Sequence, residues 1–235
     1  MRGEAILGDQ RADLFLAHAL PDASIFAPGL ALAFDLPGHG ADPTPRREVN
    51  LNVYSRAISD QIAAIDAPDI IAVAHSIGGA ALLGALPVAG ARLSKIILIA
   101  ALVPEPGRRF CDYLTPRRRE LFEAAAIAAP DCACPMPYRL AQSVYFNDLP
   151  VAAARKCFNL LTPQPWGAWI EPFNFDPCAP RPRCDYLICE KDRCFPDTTY
   201  LESARRIGAG PRRFPSGHDA MLSRPALLAA SLSAA

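Results

Sequence analysis

An excess of charge of either sign is missing from this chain: 24 Lys and Arg residues stand against 24 Asp and Glu. A balanced chain carries no electrostatic footprint for a polyanion, so neither nucleic acid nor an anionic membrane is expected as a partner. Long hydrophobic runs are missing too. No apolar stretch approaches the roughly 20 residues of a spanning helix. The opening residues, M-R-G-E-A-I-L-G-D-Q-R, lack the apolar core of an export signal, so a cytoplasmic location is expected. Histidine is scarce, with only His18, His39, His75 and His218 available as imidazole bases. Cysteine is plentiful at eight, but no C-x-x-C pair occurs. Without an export signal these read as reduced thiols rather than a disulfide framework. Cys132, Cys134, Cys178, Cys184 and Cys194 have no histidine near them in sequence, so a zinc site is not expected. Cys189 reads as a small core residue on a strand.

What is present centres on Ile70 to Gly79, I-I-A-V-A-H-S-I-G-G. An apolar strand runs into Ala74-His75-Ser76-Ile77-Gly78 and out into a helix-compatible stretch of small residues. The pattern is G-x-S-x-G with alanine in the first position. That turn lifts a serine hydroxyl above the end of a sheet, and small neighbours let the backbone bend. The following helix directs unpaired N–H groups toward the place where negative charge would develop.

A serine needs a base, and the base an orienting acid; on this arrangement both follow the serine in sequence. Only His218 lies far downstream, in F-P-S-G-H-D-A-M-L-S-R-P. Between them, Asp185 to Glu190 reads as a buried strand running out to Asp192. Ser76, Asp192 and His218 therefore occur in the required order, each past the end of an expected strand. The imidazole would take the serine proton near neutral pH, and the carboxylate would fix its tautomer.

With 235 residues the chain can bury a sizeable core. Strands are expected over Asp13 to His18, Leu32 to Asp35, Ile70 to Ala74, Lys95 to Val103 and Asp185 to Glu190. Helices are expected over Tyr54 to Ile65, with Ile58, Ile62 and Ile65 on one face, and over Leu82 to Ala89. Alternation of strand and helix argues for a parallel sheet with its site at the carboxyl ends of the strands. From Glu105 to Arg183 the pattern changes to short helical pieces, including Pro116 to Ala129 and Val151 to Leu161, amid prolines and aromatics. An insertion of that length is no loop. It reads as a cap (residues 105–183) on a core made of residues 1–104 and 184–235. Trp166, Trp169 and Phe173 are candidate pocket walls, although aromatics of this kind also form a cap's own core. Arg117-Arg118-Arg119 reads as a solvated helix face.

Taken together, D-L-P-G-H-G (Asp35 to Gly40), A-H-S-I-G-G, I-C-E-K-D-R-C-F-P, G-H-D-A-M-L-S-R-P and the cap segment V-Y-F-N-D-L-P-V-A-A-A (Val144 to Ala154) resemble the α/β-hydrolase superfamily. Within it the chain is similar to the group of salicylate-binding methylesterases, bacterial carboxylesterases and hydroxynitrile lyases. The resemblance implies an α/β fold: a mostly parallel, six-stranded sheet flanked by helices, with a small helical cap and no cofactor. It also implies Ser76, Asp192 and His218 as a catalytic triad, with His39 in a structural turn. One oxyanion donor would be the N–H of Ile77 and the other that of Ala19 or Leu20, with His18 at the pocket edge.

Two departures stand out. The family's His-Gly after its first core strand is here His18-Ala19-Leu20-Pro21, and Pro21 has no N–H to offer. Losing one oxyanion donor costs about 2.7–4 kcal/mol of transition-state stabilisation. Only Ala19 to Ala31 separate the first two strands, close to the minimum for a parallel crossover. Lyases of the group carry a lysine after the catalytic histidine; Asp219 stands there instead and would oppose a departing anion, and it is expected to cap the next helix. The first reading is a serine hydrolase of a small, largely apolar carboxylic ester. Alternatives are a non-hydrolytic lyase, decarboxylase or cyclase step in the same pocket, or a ligand-binding protein without turnover. The sequence is compatible with a homodimer and does not require one.

Overall fold

The computed structural model describes residues 11–16, 30–67, 69–176, 179 and 181–233. In chain order the strands are β1 (Arg11–Leu16), β2 (Leu30–Ala33), β3 (Asp69–His75), β4 (Leu93–Ile99), β5 (Ala133–Cys134), β6 (Gln164–Pro165), β7 (Arg183–Cys189) and β8 (Pro211–Phe214). The helices are α1 (Leu51–Ala64), α2 (Ile77–Ala89), α3 (Pro116–Ala128), α4 (Tyr138–Val144), α5 (Val151–Phe158), α6 (Gly167–Ile170), α7 (Asp197–Arg206), α8 (Ala220–Ser223) and α9 (Pro225–Ser233). Among the described residues, six strands form one sheet in the order β2-β1-β3-β4-β7-β8. Every pairing in it is parallel. The chain steps from β1 to β2 on one side and returns to β3 on the other. That reversal creates the crevice at the strands' carboxyl ends where α/β sheets place their sites.

Local chemistry explains the elements that matter. The side chain of Asn50 accepts a hydrogen bond from the N–H of Val53 and so starts α1. Tyr54, Ile58 and Ile62 then recur at helical spacing and are fully buried. Helix α2 is apolar all round, and ten of its residues are buried, so it is a central helix rather than a surface one. Gly79 lets it approach the sheet: a Cβ there would lie 2.5 Å from that of Ala101. Strand β4 ends at Ile99, short of the expected Val103, because Ala100 adopts a φ of 44° and turns the chain out of the sheet.

Near the amino ends of β4 and β7, Lys95 and Asp185 form a 2.7 Å ion pair with both side chains largely buried. Burial alone would raise the Asp185 carboxyl; the Lys95 ammonium outweighs it and holds the group below the usual carboxylate range. Between β4 and β7 stand α3 to α6 and the two-stranded antiparallel β5–β6 pair. Tyr54, His39, Thr162 and Gln164 tie this insertion to α1 through a buried network. His39 bonds Tyr54 and Thr162, each at 2.8 Å, and Gln164 donates to the Tyr54 hydroxyl at 3.1 Å. His39 is thus a structural residue. Among the described residues no helix is long and apolar enough to cross a membrane.

Candidate active site

Strand β3 delivers Ser76 on a sharp turn. Its backbone has φ 52° and ψ −127°, a combination side chains rarely adopt, and α2 begins at the next residue. The turn is held from both sides. Ser76 N–H donates to the Ile99 carbonyl at 3.1 Å, and Gly79 N–H donates to the Ser76 carbonyl at 3.1 Å. Ile77, the first residue of α2, has one of the N–H groups that no intrahelical carbonyl can satisfy.

Strand β7 ends at Cys189, and the following turn, closed by Asp192 N–H on the Cys189 carbonyl at 3.1 Å, presents Asp192. The loop after β8 presents His218. The fold brings these three together. His218 Nε2 is 3.1 Å from Ser76 Oγ, and His218 Nδ1 is 2.7 Å from Asp192 Oδ2. The other Asp192 oxygen accepts from the N–H of Cys194 at 2.7 Å, which fixes the carboxylate plane. Burial disfavours the His218 imidazolium, the Asp192 carboxylate favours it, and the net direction is upward from an ordinary histidine. A further contact sequence reasoning did not find is His75, whose Nε2 bonds the His218 carbonyl at 3.0 Å.

Above Ser76 and His218 opens a cavity lined mainly by Phe122, Met136, Tyr145, Phe146, Leu161, Trp169 and Leu222, with Thr162, Gln164 and Asp219 among its polar members. An adjoining lobe shares Ser76, Tyr145, Trp169 and His218 and adds Phe110, Arg118, Val144 and Phe195. Trp169 therefore sits where the sequence placed it. Trp166 and Phe173 do not line either lobe. Trp166 packs beside Trp169 with ring centroids 5.8 Å apart, and Phe173 packs beside Phe175 at 5.7 Å, both buried in the core. His18, Ala19 and Leu20 lie outside the described residues.

Two further expectations need correction. Arg118 is not a solvated residue: it lines the adjoining lobe and donates to the Cys194 carbonyl at 2.9 Å. Asp219 occupies the N-cap position of α8, yet its side chain makes no capping hydrogen bond. Tyr145 was the main omission, since nothing in V-Y-F-N-D-L-P marks its ring as a neighbour of a histidine 73 residues later.

Among the described residues, one group has metal-ligand atoms within 4.8 Å of one another: Asp192, Cys194 and His218. The fold thus brings Cys194 to a histidine that is distant in sequence. Both nitrogens of His218 are already engaged, one by Asp192 and one by Ser76. Burial also pushes the Cys194 thiol up to about 12, so it is a neutral thiol at pH 7 rather than a ready ligand. The donor set suits a proton relay better than a metal.

Comparison with known proteins agrees with this architecture. The chain aligns with an extracellular alpha/beta-hydrolase from a Paenibacillus species, described as sharing structural and functional homology with tobacco salicylic acid binding protein 2. The TM-score is 0.84 at 18% identity, covering 97% of this chain and 99% of that one. The methylesterase MES16 from Arabidopsis aligns with a TM-score of 0.72 at 19% identity over 94% and 97% of the two chains. A pyrethroid hydrolase from Sphingobium faniae JZ-2 aligns with a TM-score of 0.74 at 17% identity over 96% of each. At such identities the likeness shows the fold. No curated protein matches the chain in sequence. The sequence does match the alpha/beta hydrolase family over residues 11–231, and the chain belongs to that family.

Proposed function

We propose that the protein is a serine hydrolase cleaving a small, largely apolar carboxylic ester through an acyl-enzyme. The observation that carries this reading is the continuous relay from Ser76 Oγ to His218 Nε2, 3.1 Å, and from His218 Nδ1 to Asp192 Oδ2, 2.7 Å, at the floor of an apolar cavity. Ser76 Oγ attacks the acyl carbon while His218 Nε2 takes its proton. Asp192 keeps the imidazole in the tautomer that accepts at Nε2 and stabilises the imidazolium that forms. The oxyanion of the tetrahedral intermediate receives the Ile77 N–H at the head of α2. A second donor from the Ala19–Leu20 segment belongs to the same proposal. His218 returns the proton to the leaving alcohol; water, deprotonated by the same imidazole, then releases the acid.

In this reading residues 105–183 act as a cap that shapes the cavity, and residues 1–104 and 184–235 form the catalytic core. Among the structural neighbours, MES16 is named a methylesterase and the Sphingobium protein a pyrethroid hydrolase, names that support a hydrolytic reading and, for the first, an ester substrate. Incubation with p-nitrophenyl acetate and with a fluorophosphonate probe tests it. Turnover of the ester with labelling at Ser76, both lost in Ser76→Ala, is the expected result. Labelling without turnover of any ester would instead favour a non-hydrolytic step in the same pocket. Absence of labelling would remove the activated serine and the proposal with it.

A further inference from the structure

Asp219 follows the relay histidine directly in the chain and lies in the cavity wall. It does not cap α8, and its carboxyl finds no hydrogen-bond partner among the described residues. A carboxyl without a structural partner, facing a cavity whose other walls are mostly apolar, is costly unless something from outside meets it. The acidic groups whose fields reach it, Asp192 on the loop after β7 and Asp148 after α4, add negative potential. His218 opposes them. From the insertion, Tyr145 and the neutral Cys157 thiol of α5 share its surroundings, as do the neutral Cys189 and Cys194 thiols at the end of β7 and in the loop after it. Arg118, the cation of the adjoining lobe, is already held by the Cys194 carbonyl. The rest of the wall offers the rings of Phe122, Tyr145, Phe146 and Trp169. Aromatic side chains and a carboxylate in one cavity wall are the groups that recognise quaternary and other ammonium ions.

We propose that Asp219 is a specificity-determining residue that directs the enzyme toward esters bearing an ammonium group, which it pairs with its carboxylate among the aromatic rings. This rests on the hydrolase reading above and adds the substrate class. Burial pushes the Asp219 carboxyl up to about 7, from 3.8. It is mostly neutral at pH 6 and mostly ionised at pH 8, so the preference for a cation strengthens across that interval.

The test uses two esters of the same shape: acetylcholine, permanently cationic, and 3,3-dimethylbutyl acetate, its neutral carbon counterpart. Their kcat/KM ratio is measured from pH 6 to 8 on the full chain and on Asp219→Asn. Protonation of His218 silences both substrates equally and cancels in the ratio. The expected result is a choline preference in the wild-type protein that rises about tenfold over the interval and stays flat in Asp219→Asn. A ratio independent of pH, or the same rise in Asp219→Asn, would overturn the proposal. Calorimetric binding of the same pair to Ser76→Ala keeps the two readings apart. A choline preference in binding, without turnover or Ser76 labelling in the wild-type chain, sinks the hydrolase and leaves the cation site standing. Equal binding of the pair at pH 8 sinks the cation site.

Discussion

The ring of Tyr145 lies over the imidazole of His218, centroids 5.3 Å apart and planes inclined by 20°. The His75 ring also packs against this imidazole, with centroids 4.5 Å apart. The His218 ring therefore contacts both the residue that precedes Ser76 and a residue from the insertion. With His218 as the proposed base, Tyr145 acts through it, as a positioning residue. Aromatic pairs of this kind contribute about 0.5–1.5 kcal/mol beyond their buried area. Tyr145→Phe keeps the stacking ring and is expected to hold kcat within about threefold. Tyr145→Ala frees the imidazole and is expected to lower kcat about tenfold while KM for a small neutral ester changes less. Equal effects of the two variants on kcat would refute the positioning role.

Backbone strain at Ser76 predicts an uncoupling of activity from stability. A side chain at φ 52° and ψ −127° costs about 1–3 kcal/mol that glycine does not incur. Ser76→Ala and Ser76→Gly both remove the proposed nucleophile, and both are expected to lose the proposed esterase activity by about 10⁴-fold or more. Ser76→Gly alone relieves the turn. It is expected to be more stable than Ser76→Ala by about 1 kcal/mol in denaturant titrations, after the greater unfolded-state entropy of glycine is allowed for.

The pH profile follows from the direction of the His218 shift. Only the neutral imidazole accepts the serine proton, so kcat/KM for a neutral ester rises with pH as His218 deprotonates. Because the Asp192 carboxylate pulls that midpoint upward, the acidic limb is expected above 6.5 in the wild-type chain. In Asp192→Asn the favourable charge is gone while burial remains, so the midpoint moves down, with kcat lowered by about 10³–10⁴-fold. An unmoved or rising midpoint in the kinetics of Asp192→Asn would contradict the assignment.

Gly217 couples the insertion to the histidine loop. Its N–H donates to Asp148 Oδ2 at 2.7 Å, and a Cβ there would lie 2.6 Å from Asp148 Oδ1 and 2.7 Å from Asn147 Oδ1. Neither side chain is free to yield, because Asp148 holds Gly217 and Asn147 Nδ2 donates to the Lys191 carbonyl at 2.9 Å. Gly217→Ala is expected to cost about 1–3 kcal/mol of stability and to shift His218 out of line with Ser76. Thermal melts and fluorophosphonate labelling rates read the two effects separately. A variant with wild-type melting and wild-type labelling would show that the contact is slack.

Periodicity made the sheet legible. Short apolar runs bounded by turn residues, such as Ile70 to Ala74 and Tyr186 to Cys189, read as buried strands flanked by helices, and the elbow residues mark which strand carries the serine. Boundaries were less legible where a single backbone angle decides them, as at Ala100, whose positive φ ends β4 four residues before the apolar run does. The insertion was the hardest part. Its aromatics look alike in sequence, yet Trp169 faces the cavity while Trp166 and Phe173 pack behind it. Asp219 misled for a related reason: an Asp before a short helix signals a cap, and only side-chain direction shows that the carboxyl turns away.

The amino-acid order by itself determined the α/β layering, the turn at Ser76 and the succession of serine, acid and histidine, because these depend on residue type and short-range spacing. Tertiary structure alone decided that the side chains of Ser76, Asp192 and His218 meet within hydrogen-bonding distance, that Tyr145 covers the imidazole, and that Asp219 enters the cavity. Those relations join residues up to 142 positions apart. They are set by how the insertion packs on the ends of the strands, a balance of many weak contacts that no local pattern encodes.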